Sequence, residues 1–110
     1  MNGQAVIYHP NGTIDIRPLR NTTPSLDFLR TAVDGDLELV PLFETILQGD
    51  KLVRCAAFCN EHGKNNGLPY NHPAQVLWKA AQAREAVEVD DYLVGKIIVI
   101  TGDEELMESL

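Results

Sequence analysis

Long apolar runs are missing from this sequence: no stretch approaches the ~20 residues that a membrane-spanning helix requires, so no span is expected. The N-terminus lacks the basic start, apolar middle and small-residue cleavage site of a secretory signal, since Met1 to Ala5 is largely polar and Val6 to Tyr8 is too short. The cytoplasm is therefore the expected compartment. Cysteine is scarce, and the two that occur, Cys55 and Cys59, do not have the spacing of a C-x-x-C redox or zinc motif. On a strand both would point to the same face about 13 Å apart, too far for a disulfide. They read as small buried hydrophobes. Internal repeats, linkers and low-complexity segments are also absent, as is any basic surplus. A general nucleic-acid binder needs a basic footprint to displace phosphate counterions, whereas the formal net charge here is −7.

What is present fits one globular core. A chain of 110 residues lies near the commonest domain size and buries roughly two-thirds of its unfolded surface. The hydrophobic share of 45% and charged share of 23% are ordinary. The charge is unevenly placed. From Met1 to Arg84 acids and bases balance at eight each, and from Glu85 onward Glu85, Glu88, Asp90, Asp91, Asp103, Glu104, Glu105 and Glu108 face Lys96 alone. The whole acidic surplus belongs to the last part of the chain.

Two short β-prone runs, Ala5 to Tyr8 and Thr13 to Arg17, flank His9-Pro10-Asn11-Gly12, where Asn-Gly signals a hairpin. Thr23 before Pro24 reads as an N-cap with proline at the first helical position, and Leu26, Leu29 and Val33 then recur at helical spacing to about Gly35. Leu37 to Leu42 alternates like a strand, its proline favouring an edge. After the Gln48-Gly49-Asp50 turn, Leu52 to Cys59 lacks clean alternation and reads as a central strand covered on both sides. A second helix is predicted from Pro73 to about Glu85, capped by Asn71 or His72. On it only Gln75, Lys79 and Gln82 make a polar stripe, so it is either deeply packed or docks a partner. Val94 to Thr101 is the last predicted strand. The order β-β-α-β-β-α-β implies an α+β domain over residues 1–102, a mostly antiparallel sheet of about five strands with two helices on one face, followed by an acidic tail or short helix over 103–110.

Between the fourth strand and the second helix runs the polar connection from Asn60 to His72, about the length above which an irregular loop usually has a role. Within it stand Asn60-Glu61, Gly63-Lys64, Gly67-Leu68-Pro69 and Asn71, preceded by Glu38-Leu39-Val40-Pro41-Leu42 and followed by Gly95 and Val99. With these residues the stretch from Gly35 to Gly102 resembles a family of uncharacterised phage and bacterial proteins, the domain of unknown function 3846. The resemblance implies a small phage-, plasmid- or bacterium-encoded intracellular protein and carries no chemistry with it.

The loop residues Asn60, Glu61, His62, Lys64, Tyr70, Asn71 and His72 form a candidate ligand or partner site. Asn66-Gly67 and His62-Gly63 are equally good turn chemistry, because Asn tolerates left-handed backbone and Gly permits tight turns. His62, His72, Cys59 and Glu61 are all zinc-ligand types, but in no recognised spacing, so neither a metal nor another cofactor is expected. Glu61, His62 and Lys64 could be read as acid, base and electrophile, yet no nucleophile with a fixed neighbour accompanies them. No catalytic residue is assigned, and the expectation is a non-enzymatic protein. Trp78 is a core anchor or, if exposed, a docking residue.

The localised charge makes Glu88, Asp90, Asp91, Asp103, Glu104, Glu105 and Glu108 a candidate acidic surface for a protein partner with a basic patch. The leading functional expectation is an interaction protein of a phage or mobile element that modulates a host protein, in counter-defence or regulation. The alternative is a small-molecule or nucleotide-binding module that uses the Asn60–His72 loop and has a concave pocket beneath it. A homodimer through the Leu37–Leu42 edge or the apolar helix accompanies either.

Overall fold

A computed structural model describes residues 1–110. Strands β1 (Asn2–Tyr8) and β2 (Ile14–Arg20) form the opening hairpin, and helix α1 (Leu26–Val33) follows. Then come β3 (Leu37–Leu39), β4 (Thr45–Gln48), β5 (Lys51–Arg54) and β6 (Ala56–Asn60), helix α2 (His72–Arg84), β7 (Ile97–Gly102) and helix α3 (Glu104–Glu108). The main sheet has the order β2-β1-β7-β6-β3 and every pairing in it is antiparallel, while β4 and β5 make a separate hairpin. The expected α+β class with a five-stranded antiparallel sheet is borne out. No helix is long and apolar enough to cross a membrane.

The central strand explains the layering. In β7 every residue from Ile97 to Thr101 is buried, and because side chains alternate across a strand, Ile98 and Ile100 face one side while Ile97 and Val99 face the other. Ile98 and Ile100 pack with Leu29, Ala32 and Val33 of α1 and with Leu106 and Met107 of α3. Ile97 and Val99 pack with Ala74, Trp78 and Ala81 of α2 and with Phe43, Ile46 and Cys55 around the β4–β5 hairpin. The two long helices therefore lie on opposite faces of the sheet, not on one face as predicted. A strand buried on both sides needs cover on both, and each face takes one helix.

Several local expectations shift for identifiable reasons. Helix α1 is capped by Ser25, whose Oγ accepts from Phe28 N–H at 3.1 Å. Thr23, the expected cap, instead donates its hydroxyl to Ser109 Oγ at 2.8 Å. The single strand expected over Leu52 to Cys59 is two. Its first half pairs with β4 and its second with β7 and β3, and the chain crosses from one sheet to the other at Cys55, whose N–H donates to Glu44 O at 2.8 Å. Strand β4 was not expected at all. Between β3 and β4 the backbone turns through Leu42 at φ 60°, a conformation rarely adopted by a bulky residue, and this seats Phe43 in the core at 1% exposure.

The polar stripe of α2 is the most instructive departure. Gln75 and Gln82 are buried and Val76 is exposed, so the narrow polar stripe itself turns inward. The cause is the irregular segment 85–96, which returns along the helix with unpaired backbone groups. Gln75 accepts from Leu93 N–H at 2.9 Å and donates to Asp91 O at 3.1 Å; Gln82 accepts from Val89 N–H at 2.9 Å, and Lys79 Nζ donates to Val89 O. Buried backbone polar groups must find partners, and the stripe supplies them.

Candidate functional site

The Asn60–His72 connection is a chain of tight turns. Backbone donors from Gly63, Asn66, Gly67 and Leu68 bond to Asn60, His62, Lys64 and Gly63 carbonyls at 2.9 to 3.1 Å. Its two ends are anchored by buried asparagines. Asn60 Nδ2 donates to Val33 O (3.3 Å) and Asp34 O (3.2 Å), and its Oδ1 accepts from His62 N–H (2.8 Å), fastening the loop's start to the end of α1. Asn71 caps α2 by accepting from Ala74 N–H at 3.1 Å, and donates to Tyr8 O and Gly95 O at 2.9 and 2.8 Å. The middle docks on the segment before β7. Gly95 N–H bonds to Pro69 O at 2.8 Å, and Asn71 N–H to Leu93 O at 2.9 Å. Gly95 sits at φ 71°, and a Cβ there would lie 2.7 Å from Leu68 Cδ1, so both the backbone conformation and the close approach demand glycine. Asn60 and Asn71 are thus structural residues.

Beneath this loop lies a recess of about 250 Å³, between the edge strand β3 with Pro41 on one side and residues Asp91 to Val94 on the other. Val40, Pro41, Trp78, Leu93 and Val94 give it apolar walls, and Trp78 Nε1 donates to Pro41 O at 2.8 Å, holding one wall in place. Its charged groups are Glu38, Glu61, Lys64 and Asp91. Lys64 bonds to Asp91, and its Nζ lies 4.4 Å from the centre of the Tyr92 ring, a cation–π distance. The Asp91 hydrogen bond raises the Lys64 pKa, and the same bond lowers that of Asp91, so both stay charged. Burial, reinforced by Glu38, pushes the Cys59 thiol up to about 11; burial likewise takes Cys55 to about 12. Neither thiol is a ready nucleophile near neutrality.

The recess brings together Asn60, Glu61 and Lys64 of the expected loop site, and it adds Asp91 from the expected acidic surface. His62 turns away, with Nε2 at 3.4 Å from Asp36 and 3.9 Å from Glu61. Those three exposed side chains gather ligand-type atoms within 4.8 Å, while Cys59 and His72 of the considered zinc set stay outside the group. Tyr70 and His72 are exposed on the outside of the loop, their rings 6.1 Å apart, with Tyr70 also 6.4 Å from Tyr92. Glu38 and Tyr92 were missed as site residues, whereas Asn65 comes from the expected loop and Trp78 serves as the core anchor it was read to be, with its edge in the recess wall. Tyr92 had a visible signal, an aromatic ring among acids, but its meeting with Lys64 depends on the return of the chain.

The seven acids expected to form one surface are divided. Asp103 caps α3 by accepting from Leu106 N–H at 2.9 Å, also accepts from Asn2 N–H at 2.8 Å, and lies 3.3 Å from the N-terminal ammonium. The bond from Leu106 leads in lowering its pKa. It belongs with Glu104, Glu105 and Glu108 at the end of β7, on the α1 face where Leu106 and Met107 are buried. Glu88, Asp90 and Asp91 lie instead in the segment that returns along α2 on the opposite face of the sheet, Asp91 at the recess and Glu88 beside Lys79 and Gln82.

The fold and this recess define a small α+β domain in which a turn-rich loop roofs an acidic, apolar-walled cleft. The family described as Domain of unknown function (DUF3846) matches residues 1–110, and the chain belongs to that family. No curated protein and no solved structure matches it.

Proposed function

We propose that the protein is a non-enzymatic binding module that takes a basic side chain of a protein partner into the recess under the Asn60–His72 loop and modulates that partner by occupying it. The observation that carries the reading is the balance of charge around apolar walls: Glu38, Glu61 and Asp91 face the single cation Lys64, which Asp91 already engages. A lysine or arginine stem packs on apolar surface while its head seeks carboxylates. Val40, Pro41 and Trp78 suit the stem, Glu38 and Glu61 the head. A nucleotide suits the cleft poorly, because its phosphates would meet carboxylates. The non-enzymatic part of the reading is supported by the raised thiols and by the separation of His62 from Lys64, which are drawn to Asp36 and Asp91 respectively.

The test is titration with an arginine- and lysine-rich peptide, followed by amide chemical shifts and by the fluorescence of Trp78, the only tryptophan. Shifts are expected at Glu38, Glu61, Asn65 and Tyr92, with binding that weakens as salt rises and falls at least about tenfold in Glu38→Gln/Glu61→Gln. An absence of shifts in the recess, or binding indifferent to that double substitution, would overturn the reading. If free arginine bound as tightly as the peptide, the ligand would be a small cation and not a protein side chain.

A further inference from the structure

The sheet ends in two unequal edges. At one, β3 offers three residues beside the recess; at the other, β2 offers seven, and it pairs only with β1. Along β2 the hairpin register is continuous from Tyr8↔Ile14 to Asn2↔Arg20. It is bracketed by His9 N–H to Thr13 O at 3.0 Å and Asn21 N–H to Met1 O at 2.7 Å. Since hydrogen-bonded pairs alternate in an antiparallel ladder, Asp15, Arg17 and Leu19 turn their backbone groups toward β1. Those of Ile14, Ile16 and Pro18 point outward. Pro18 is tolerated for this reason: the donor it lacks would face the open edge. The side chains of Ile14 and Ile16 are 51% and 62% exposed on the face that carries Val6, Val99 and the β4–β5 hairpin, where they border an open apolar trough of about 590 Å³.

We infer that β2 is a self-association edge, which pairs antiparallel with β2 of a second copy about a two-fold axis at Ile16. Charge selects both the occupant and the register. Centred on Ile16, Asp15 of each copy stands opposite Arg17 of the other, Ile16 meets Ile16, and Ile14 meets Pro18. Centred one residue earlier, Asp15 would face Asp15; one residue later, Arg17 would face Arg17. Like charges directly opposite are destabilising and opposite charges favourable. The Asp15/Arg17 positions are also the closer, non-hydrogen-bonded kind of pair, about 4.5 Å between Cα atoms. Ile16 N–H bonds to the second copy's Ile16 carbonyl and Ile14 N–H to its Pro18 carbonyl, each reciprocated by the two-fold. Pro18 contributes only its carbonyl, so its missing donor does not break this set. On one face the pairing joins the two apolar troughs through Ile14, Ile16 and Pro18. On the other, Asp15 keeps His9 Nε2 at 2.7 Å and offers its second carboxylate oxygen to arginine.

Sedimentation velocity over a concentration series tests this on the whole chain. Wild type is expected to dimerise. Arg17→Asp, which sets acid against acid at both symmetry-related positions, is expected to weaken the dimer by at least about tenfold. Asp15→Arg/Arg17→Asp restores opposite charges with the order reversed and is expected to restore the dimer. Far-ultraviolet dichroism and thermal melts establish that each variant is folded. If Asp15→Arg/Arg17→Asp does not fold without the His9 contact, mixing Arg17→Asp with Asp15→Lys, expected to form heterodimers, replaces it. A wild type that stays monomeric throughout, or a dimer unaffected by Arg17→Asp, would overturn the inference.

Discussion

Replacing Asn71 with alanine isolates the joint on which the loop, α2 and the central sheet depend. The side chain is 0% exposed and makes a cap bond from Ala74 N–H together with donations to Tyr8 O and Gly95 O. Loss of an N-cap costs about 1 kcal/mol, and a buried polar group left without its partner costs about 1–3 kcal/mol. Because carbonyls keep a second lone pair for other partners, the lower end applies to Tyr8 O and Gly95 O, for a total of about 3 kcal/mol. That is a large part of the ~5–15 kcal/mol holding a domain of this size together, and at ~4–8 °C per kcal/mol it lowers Tm by about 12 °C or more. Urea unfolding followed by dichroism measures it, with an unchanged m-value required so that the difference is one of stability. Asn71→Asp keeps the cap acceptor but aims a carboxylate at two carbonyl oxygens, so it is expected to be at least as destabilised as Asn71→Ala. A loss in Asn71→Ala below about 1 kcal/mol, the cap alone, would refute the claim that this side chain ties three elements together.

Two further predictions concern the polar stripe of α2 and the two thiols. Gln75→Leu leaves Leu93 N–H and Asp91 O without the partners that Gln75 supplies; hydrogen exchange is expected to accelerate at Tyr92 and Leu93 relative to β7, whereas unchanged protection there would show that the stripe does not hold the segment. The thiols raised to about 12 at Cys55 and about 11 at Cys59, from an ordinary 9.0, are expected to react with a disulfide reagent at pH 8 far more slowly than in denaturant. The sign of the linkage follows. Their stabilising effect is complete below the unfolded thiol pKa near 9 and is lost as pH rises through the folded values, so urea midpoints are expected to fall above pH 9; a midpoint flat to pH 11 would contradict it.

Much of the architecture was legible along the chain because it rests on local chemistry. Asn-Gly closes a hairpin by its backbone preference, Asn71-His72-Pro73 starts a helix by capping, and the apolar run within Val94 to Thr101 reads as a strand, although that it is covered on both faces emerged only from the packing. Strand β4 and the break at Cys55 were hidden because short apolar segments look alike whichever sheet they join. The recess followed the same division. Asn60, Glu61 and Lys64 stood out in a polar loop, but that Lys64 meets Asp91 and Tyr92, with Glu38 across the gap, depends on contacts 20 or more residues apart in sequence.

The buried glutamines of α2 mark the boundary most sharply. The helix from Pro73 to about Glu85, with Gln75 and Gln82 on one stripe, is legible in the chain itself, since helical period and capping are properties of neighbouring residues. Only the tertiary structure decided that this stripe faces inward. The irregular segment before β7 brings unpaired backbone groups against it, and a buried donor or acceptor left unpartnered costs more than a buried amide that satisfies it.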